Sequence, residues 1–166
     1  MEWHHFNQTI YIHSPKETLY HCFATAKGME SWFLRSCVFT RNGLKITDHS
    51  AVQEGDEYTF LWHGWPDETM EKGKILQTRT NEMIEFTFDG NGATDMVVKV
   101  DLEETDHGTK VNLYQYNIPI TEEGKASWHV GCKTGWNFYL TNLKAIAEYG
   151  VDLRNKNMDL KGVLNS

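Results

Sequence analysis

Residues 121–150 read TEEGKASWHVGCKTGWNFYLTNLKAIAEYG. Within them Trp128, Cys132, Trp136, Tyr139, Leu143, Ile146 and Ala147 recur at spacings of four or three. At about 100° per residue these side chains form one apolar stripe roughly 100° wide, the pattern of a helix with one buried face. Thr121 offers a side-chain cap, and Glu122 and Glu123 fall in the first turn, where the helix dipole favours negative charge. Gly150 marks the stop. A helix of this kind must lie on an apolar surface, and the rest of the chain has to supply it.

That surface reads as a sheet. Phe6, Gln8, Ile10 and Ile12 alternate with Asn7, Thr9, Tyr11 and His13, a period-2 strand. Ser14-Pro15-Lys16-Glu17 then opens a helix, with Ser14 as the expected cap and Glu17 completing a capping box. Leu19, Cys22, Phe23 and Ala26 form its stripe, Gly28 interrupts it, and Met29 to Phe33 reads as a second short helix turning Trp32 and Phe33 inward. Short strands follow. Cys37 to Thr40 precedes an Asn42-Gly43 turn. Glu54-Gly55-Asp56 precedes alternating Tyr58, Phe60 and Trp62, which Gly64-Trp65-Pro66-Asp67 breaks. A strand over about residues 70–79 turns at Thr80-Asn81-Glu82 into Met83 to Phe88. Asp89-Gly90-Asn91-Gly92 leads to Met96, Val98, Val100 and Leu102, and Asp106-His107-Gly108 to Val111, Leu113 and Gln115. The order is strand, two short helices, about six strands, long helix. The fold class is therefore α+β: one curved antiparallel sheet of about six to seven strands, wet on one face, gripping a C-terminal helix.

Composition narrows the function. The 166 residues include six Trp, seven Tyr and eight Phe but three Pro, too aromatic for a disordered chain. This length suits one domain, expected over residues 1–150, with 151–166 a tail that packs on the surface or frays. The net charge of −7 argues against nucleic acid and against an anionic membrane surface. Cys22, Cys37 and Cys132 are sparse and odd in number, so no disulfide framework is expected. With no signal peptide and no membrane-spanning run, the reading places the protein in the cytoplasm.

The element order resembles the helix-grip fold of the START-like superfamily, also called SRPBCC or birch-pollen-allergen-like. Within it the chain resembles homologues of the activator of the ninety-kilodalton heat-shock chaperone's ATPase. Three stretches carry the resemblance, which covers roughly residues 5–149. They are Ile10-x-Ile12 followed by Ser14-Pro15-Lys16-Glu17-Thr18-Leu19-Tyr20, then Met29-Glu30-Ser31-Trp32-Phe33, and Gly135-Trp136 with Leu140 and Leu143 in the last helix. The chain departs from the pattern at Glu54-Gly55-Asp56, where the family often has Gly-Gly, and at Tyr20. The superfamily includes lipid carriers, hormone receptors, polyketide cyclases and chaperone activators, so the resemblance implies a fold more than a function.

In that fold the sheet curls away from the long helix and leaves a cavity. The resemblance therefore implies a lining drawn from the inward faces: Trp32, Phe33, Tyr58, Phe60, Trp62, Phe86, Phe88, Met96, Val98, Gln115, Trp128, His129, Cys132, Trp136 and Tyr139. Ile84, Val100 and Leu113 share the same strand faces. His63 falls near the expected mouth. Gly131 and Gly135 each cost the helix about 1 kcal/mol against Ala. That cost needs an offset in close packing, the commoner reason, or in space for a ligand. Cys132 and His129, three apart, could form a nucleophilic dyad or half a metal site, but nothing demands a third ligand and a buried Cys usually behaves as a small hydrophobe. Glu85 and Asp101 fall on the wet face as ordinary solvated carboxylates.

The sequence reading therefore expects a non-enzymatic binding protein holding a small hydrophobic or aromatic molecule between sheet and helix, without cofactor, metal or catalytic residue. One alternative is a chaperone-associated interaction module, as the resemblance implies. The other is a cyclase or dehydratase using His129 or a cavity Tyr as acid or base. A homodimer and a protein partner such as a chaperone are both compatible with it.

Overall fold

The structure is a computed structural model that describes residues 2–166. Strand β1 (His5–Ile12) leads into helices α1 (Lys16–Ala24) and α2 (Ala26–Trp32). Six further strands and one two-residue strand follow: β2 (Ser36–Arg41), β3 (Leu44–Lys45), β4 (Glu57–Leu61), β5 (Glu71–Arg79), β6 (Met83–Thr87), β7 (Val97–Thr105) and β8 (Gly108–Tyr116). A π-helical segment, Gly124–Gly131, runs directly into helix α3 (Cys132–Tyr149). The strands form one eight-stranded antiparallel sheet in the order β1-β8-β7-β6-β5-β4-β2-β3. This is the helix-grip arrangement, one strand longer than expected because β3 adds a short edge.

Alternation fixes which face is buried. Tyr58 and Phe60 on β4, Ile84 and Phe86 on β6, and Val98, Val100 and Leu102 on β7 are buried, as are Val111, Leu113 and Gln115 on β8. Register follows the turns. Asn42 and Gly43 both take positive φ (52° and 78°), which matches the twist of the β2–β3 hairpin and sets Arg41 opposite Leu44. An irregularity between Ile75 and Gln77 in β5 bends the sheet midway along its order. Helices α1 and α2 pack on β6, β7 and β2, and α3 lies along β1 and against α2.

The helix ends differ from expectation in two places. The break between α1 and α2 falls at Thr25, whose Oγ1 caps α2 by accepting from Gly28 N at 2.9 Å, so Gly28 lies inside the second helix rather than before it. Pro15, not Ser14, is the N-cap of α1, and no side chain caps it. Ser14 contributes its backbone instead, its carbonyl accepting from Thr109 Oγ1 at 2.7 Å. Thr121 does cap the last helix, its Oγ1 accepting from Gly124 N at 3.0 Å, and Gly150 ends it in the left-handed conformation. One buried ion pair ties the β2 edge to the β4 turn. Asp56 is 1% exposed and receives Arg41 Nε and Nη2, each at 2.8 Å. Burial alone would raise the Asp56 pKa, but Arg41 and the Gln53 amide hold it below the usual range.

The tail after Gly150 is built into the fold. Arg154, 7% exposed, reaches under it to the end of α2, donating to the carbonyls of Glu30, Ser31 and Leu34 at 2.9–3.1 Å. Asn142, fully buried on α3, takes the neighbouring Trp32 carbonyl with its Nδ2 at 2.8 Å and accepts Leu153 N at 2.7 Å. A helix leaves its last carbonyls without intrahelical partners. Here three of those at the end of α2 (Glu30, Ser31 and Trp32) are met by Arg154 and Asn142. Beyond Arg154 the tail closes into a loop, with Asn155 N donating to Asn165 O and Asn165 Nδ2 to Leu153 O.

Candidate functional site

The inward faces of sheet and helix do not fill the space between them. A cavity of about 330 Å³ remains, lined by Phe33, Trp62, Phe88, Cys132, Trp136 and Tyr139 from the sequence-predicted set. Phe33 is the hub. It follows Trp32, whose Nε1 donates to Cys22 O at 2.9 Å and fixes the end of α2. The Phe33 ring stacks on Trp136 with centroids 4.8 Å apart and 27° between planes. It meets Tyr139 edge-on at 4.8 Å and Trp62 at 5.7 Å. Phe88 closes against Trp136 at 5.6 Å. Such ring pairs contribute about 0.5–1.5 kcal/mol each beyond area burial, so the walls hold their shape without an occupant.

Other predicted lining residues lie elsewhere. Tyr58 and Phe60 stack at 3.9 Å, with Phe86 edge-on to both, and together with Trp32, Met96 and Val98 they fill the core away from the cavity. Gln115 is fully buried behind the wall. Its Oε1 accepts from Trp136 Nε1 at 2.9 Å and its Nε2 points to Met96 Sδ at 3.6 Å, so it orients Trp136. Trp128 packs on the turn at Gly90, where an added Cβ would stand 3.0 Å from its ring. His129 sits on the β1 side. Its Nδ1 is 2.9 Å from Trp3 O, and its ring meets Trp3 and Phe6 edge-on at 5.1 and 5.4 Å. Cys132 lines the cavity while His129 faces away, so the two do not form a dyad. The π-helical turn between them is the reason, because i→i+5 bonding widens the turn and changes which residues share a face.

Sequence reasoning missed Trp65, Thr69, Ser127 and Ser166 as lining residues, although it placed the mouth near Gly64-Trp65-Pro66. A Trp in a polar, turn-forming loop was the available signal for Trp65, which is 52% exposed. Ser166 had none, since it reaches the mouth only because the tail folds back and packs on Gly64. Gly131 and Gly135 both line the cavity, and a Cβ built at Gly135 would meet nothing within 4 Å. The glycines therefore give space to the cavity rather than close approach to the sheet.

The lining is apolar with a few hydroxyls and one thiol, and no charged side chain contributes to it. Burial pushes the Tyr139 hydroxyl up to about 12, a shift that Arg154 partly offsets. Burial also raises the Cys132 thiol, against a hydrogen bond from Gln115. Both groups stay protonated at neutral pH. At the mouth, burial and the nearby Arg154, Lys156 and Arg35 keep the His63 imidazole below its ordinary value. A larger groove of about 660 Å³ lies over the solvent-facing side of β4 and β5, among Glu57, Lys72 and Lys74. It is a wide, open trough in which Tyr58 and Met70 meet charged side chains, without the convergent ring walls of the cavity.

The family model for Activator of Hsp90 ATPase homolog 1-like protein matches residues 13–148. The chain belongs to this family. Among solved structures it is similar to a protein from Staphylococcus saprophyticus, with 20% identity, 90% of this chain and 96% of that one covered, and a TM-score of 0.68. The solution structure of the Aha1 dimer from Colwellia psychrerythraea matches with 20% identity, 88% and 97% coverage and a TM-score of 0.68. A conserved protein of unknown function from Enterococcus faecalis matches with 15% identity, 92% and 75% coverage and a TM-score of 0.66. No curated protein is similar enough to count as a match. At these identities the structural likenesses establish the helix-grip fold. Among the described residues no helix is long and apolar enough to cross a membrane.

Proposed function

We propose that the protein binds a small, uncharged, hydrophobic or aromatic molecule in the cavity between the sheet and α3, without chemistry. The observation that carries this is the ring-lined space of about 330 Å³ with no charged side chain on its walls. Pockets of about 300–1,000 Å³ with mainly apolar walls and a few hydroxyls are the usual form of a small-molecule site. A charged ligand would lose its hydration there with nothing to replace it. The cyclase or dehydratase alternative loses the base it relied on, since His129 is committed to Trp3 O. It is left with Tyr139, whose hydroxyl is hard to ionise. Quenching of Trp fluorescence by a library of lipids and neutral aromatics tests the reading. A saturable ligand that also raises the melting temperature supports it; a library in which nothing does either refutes it.

A second reading has one observation in its favour, the family itself. An interaction module that engages a chaperone would use the loop at the cavity mouth, where Trp65 is 52% exposed. It would act in the cytoplasm, and self-association is a variant of it. Stimulation of a purified chaperone's ATPase that Trp65→Ala abolishes would favour this reading over the first.

A further inference from the structure

The segment Glu2-Trp3-His4-His5 leads into β1, and the ligand cavity does not use it. Its backbone is held at three successive residues. His129 Nδ1 lies 2.9 Å from Trp3 O, Ile118 N donates to His4 O at 2.9 Å, and His5 pairs with Tyr116 in the sheet. The Trp3 ring adds an edge contact to His129. On this fixed backbone the side chains of Glu2, His4 and His5 converge, one ligand atom of each lying within 4.8 Å of the others. His5 Nε2 and Glu2 Oε2 are 3.4 Å apart. Two ligands held about 2.0–2.1 Å from a zinc ion at the tetrahedral angle stand about 3.3 Å apart, so this pair already has the right separation. The two imidazoles are inclined by 64° with centroids 4.5 Å apart, so they do not stack.

We propose that Glu2, His4 and His5 form an open three-ligand site for a divalent transition cation of the zinc class, with water completing the coordination. Two imidazoles and a carboxylate suit zinc, copper or nickel, whereas calcium and magnesium want all-oxygen sets. His129 is the positioning residue, since it fixes Trp3 between the ligands. Glu2 and His4 are exposed, so an ion reaches the site from solution. A bound ion ties the start of β1 to the residues before it.

The test is calorimetric titration of the untagged chain with zinc chloride, and separately with calcium chloride. The expected result is one equivalent of zinc bound with micromolar or tighter affinity and no calcium binding. At zinc about 100-fold above Kd the melting temperature should rise by about 5–11 °C. His4→Ala and His5→Ala should each weaken binding at least tenfold while leaving the zinc-free melting temperature unchanged. His107→Ala, on the remote β7–β8 turn, should bind as wild type. The proposal is overturned if no one-to-one zinc binding is seen, if calcium binds equally well, or if the His4→Ala/His5→Ala double variant retains wild-type affinity.

Discussion

Replacing Gly135 tests the cavity most directly. In a helix interior Gly is about 1 kcal/mol less favourable than Ala. At Gly135 a Cβ would meet nothing within 4 Å. Gly135→Ala should therefore stabilise by about 1 kcal/mol, or about 2–4 °C in melting temperature for a chain of this size. Gly135→Leu keeps the helix gain and places an apolar side chain against Trp136 and Tyr139. It should stabilise by a further 1–2 kcal/mol, at about 0.8 kcal/mol per buried CH₂ less the entropy of ordering the side chain. The same substitution should exclude ligand. With N-phenyl-1-naphthylamine, a neutral fluorescent aromatic, wild type should bind and Gly135→Leu should lose at least tenfold in affinity, about 1.4 kcal/mol. Gly28→Ala is the contrast, because its Cβ would stand 1.9 Å from the His21 carbonyl oxygen, and it should destabilise. Thermal melts and fluorescence titration read all of these. A Gly135→Leu protein that melts below wild type, or that binds the probe equally well, would refute the hollow core.

Three further outcomes follow from the same geometry. Arg154→Ala leaves the carbonyls of Glu30, Ser31 and Leu34 and the Asp152 carboxylate without their main partner, so it should cost about 3–5 kcal/mol and lower the melting temperature by roughly 6–20 °C; a shift under about 2 °C would mean the tail is not anchored. Asp56 has a folded pKa below its unfolded value, so the unfolded chain takes up that proton first. The stability it contributes is present above about pH 4 and is lost as pH falls through its folded pKa. Asp56→Asn should destabilise at neutral pH and flatten the fall of unfolding free energy below about pH 4, which urea melts across that range would reveal. Cys132 lines the cavity with a raised pKa, so iodoacetamide at pH 8 should alkylate it much more slowly than a free thiol, and a bound neutral aromatic should slow it further; modification at the free-thiol rate in mass spectrometry would contradict its burial.

Strand alternation and the 3.6-residue stripe made the architecture legible, because each periodicity has one solution when a single face must be buried. The stripe Trp136, Tyr139 and Leu143 and the strand residues Phe60, Phe86 and Val98 all face inward as read. The site was legible in part. Phe33, Trp62, Phe88 and Trp136 line the cavity, whereas Phe60 and Phe86 on the same strand faces lie in solid core. Inward direction is a one-dimensional property of the sequence; depth along the strand relative to a curving sheet is not.

The chain by itself settled the order of elements, the buried faces and the places where turns must fall, since these depend on local backbone preference and periodicity. Tertiary structure decided the rest. The π-helical segment turned His129 toward Trp3 and away from Cys132. Arg154 found its acceptors more than a hundred residues away, at the end of α2. Gly28 and Gly135 both end up in helices, Gly28 in the first turn of α2 and Gly135 within α3. One is pressed against the His21 carbonyl and the other opens onto empty space. The sequence does not show what either would meet, and only the position of the surrounding atoms separates a packing glycine from one that shapes a cavity.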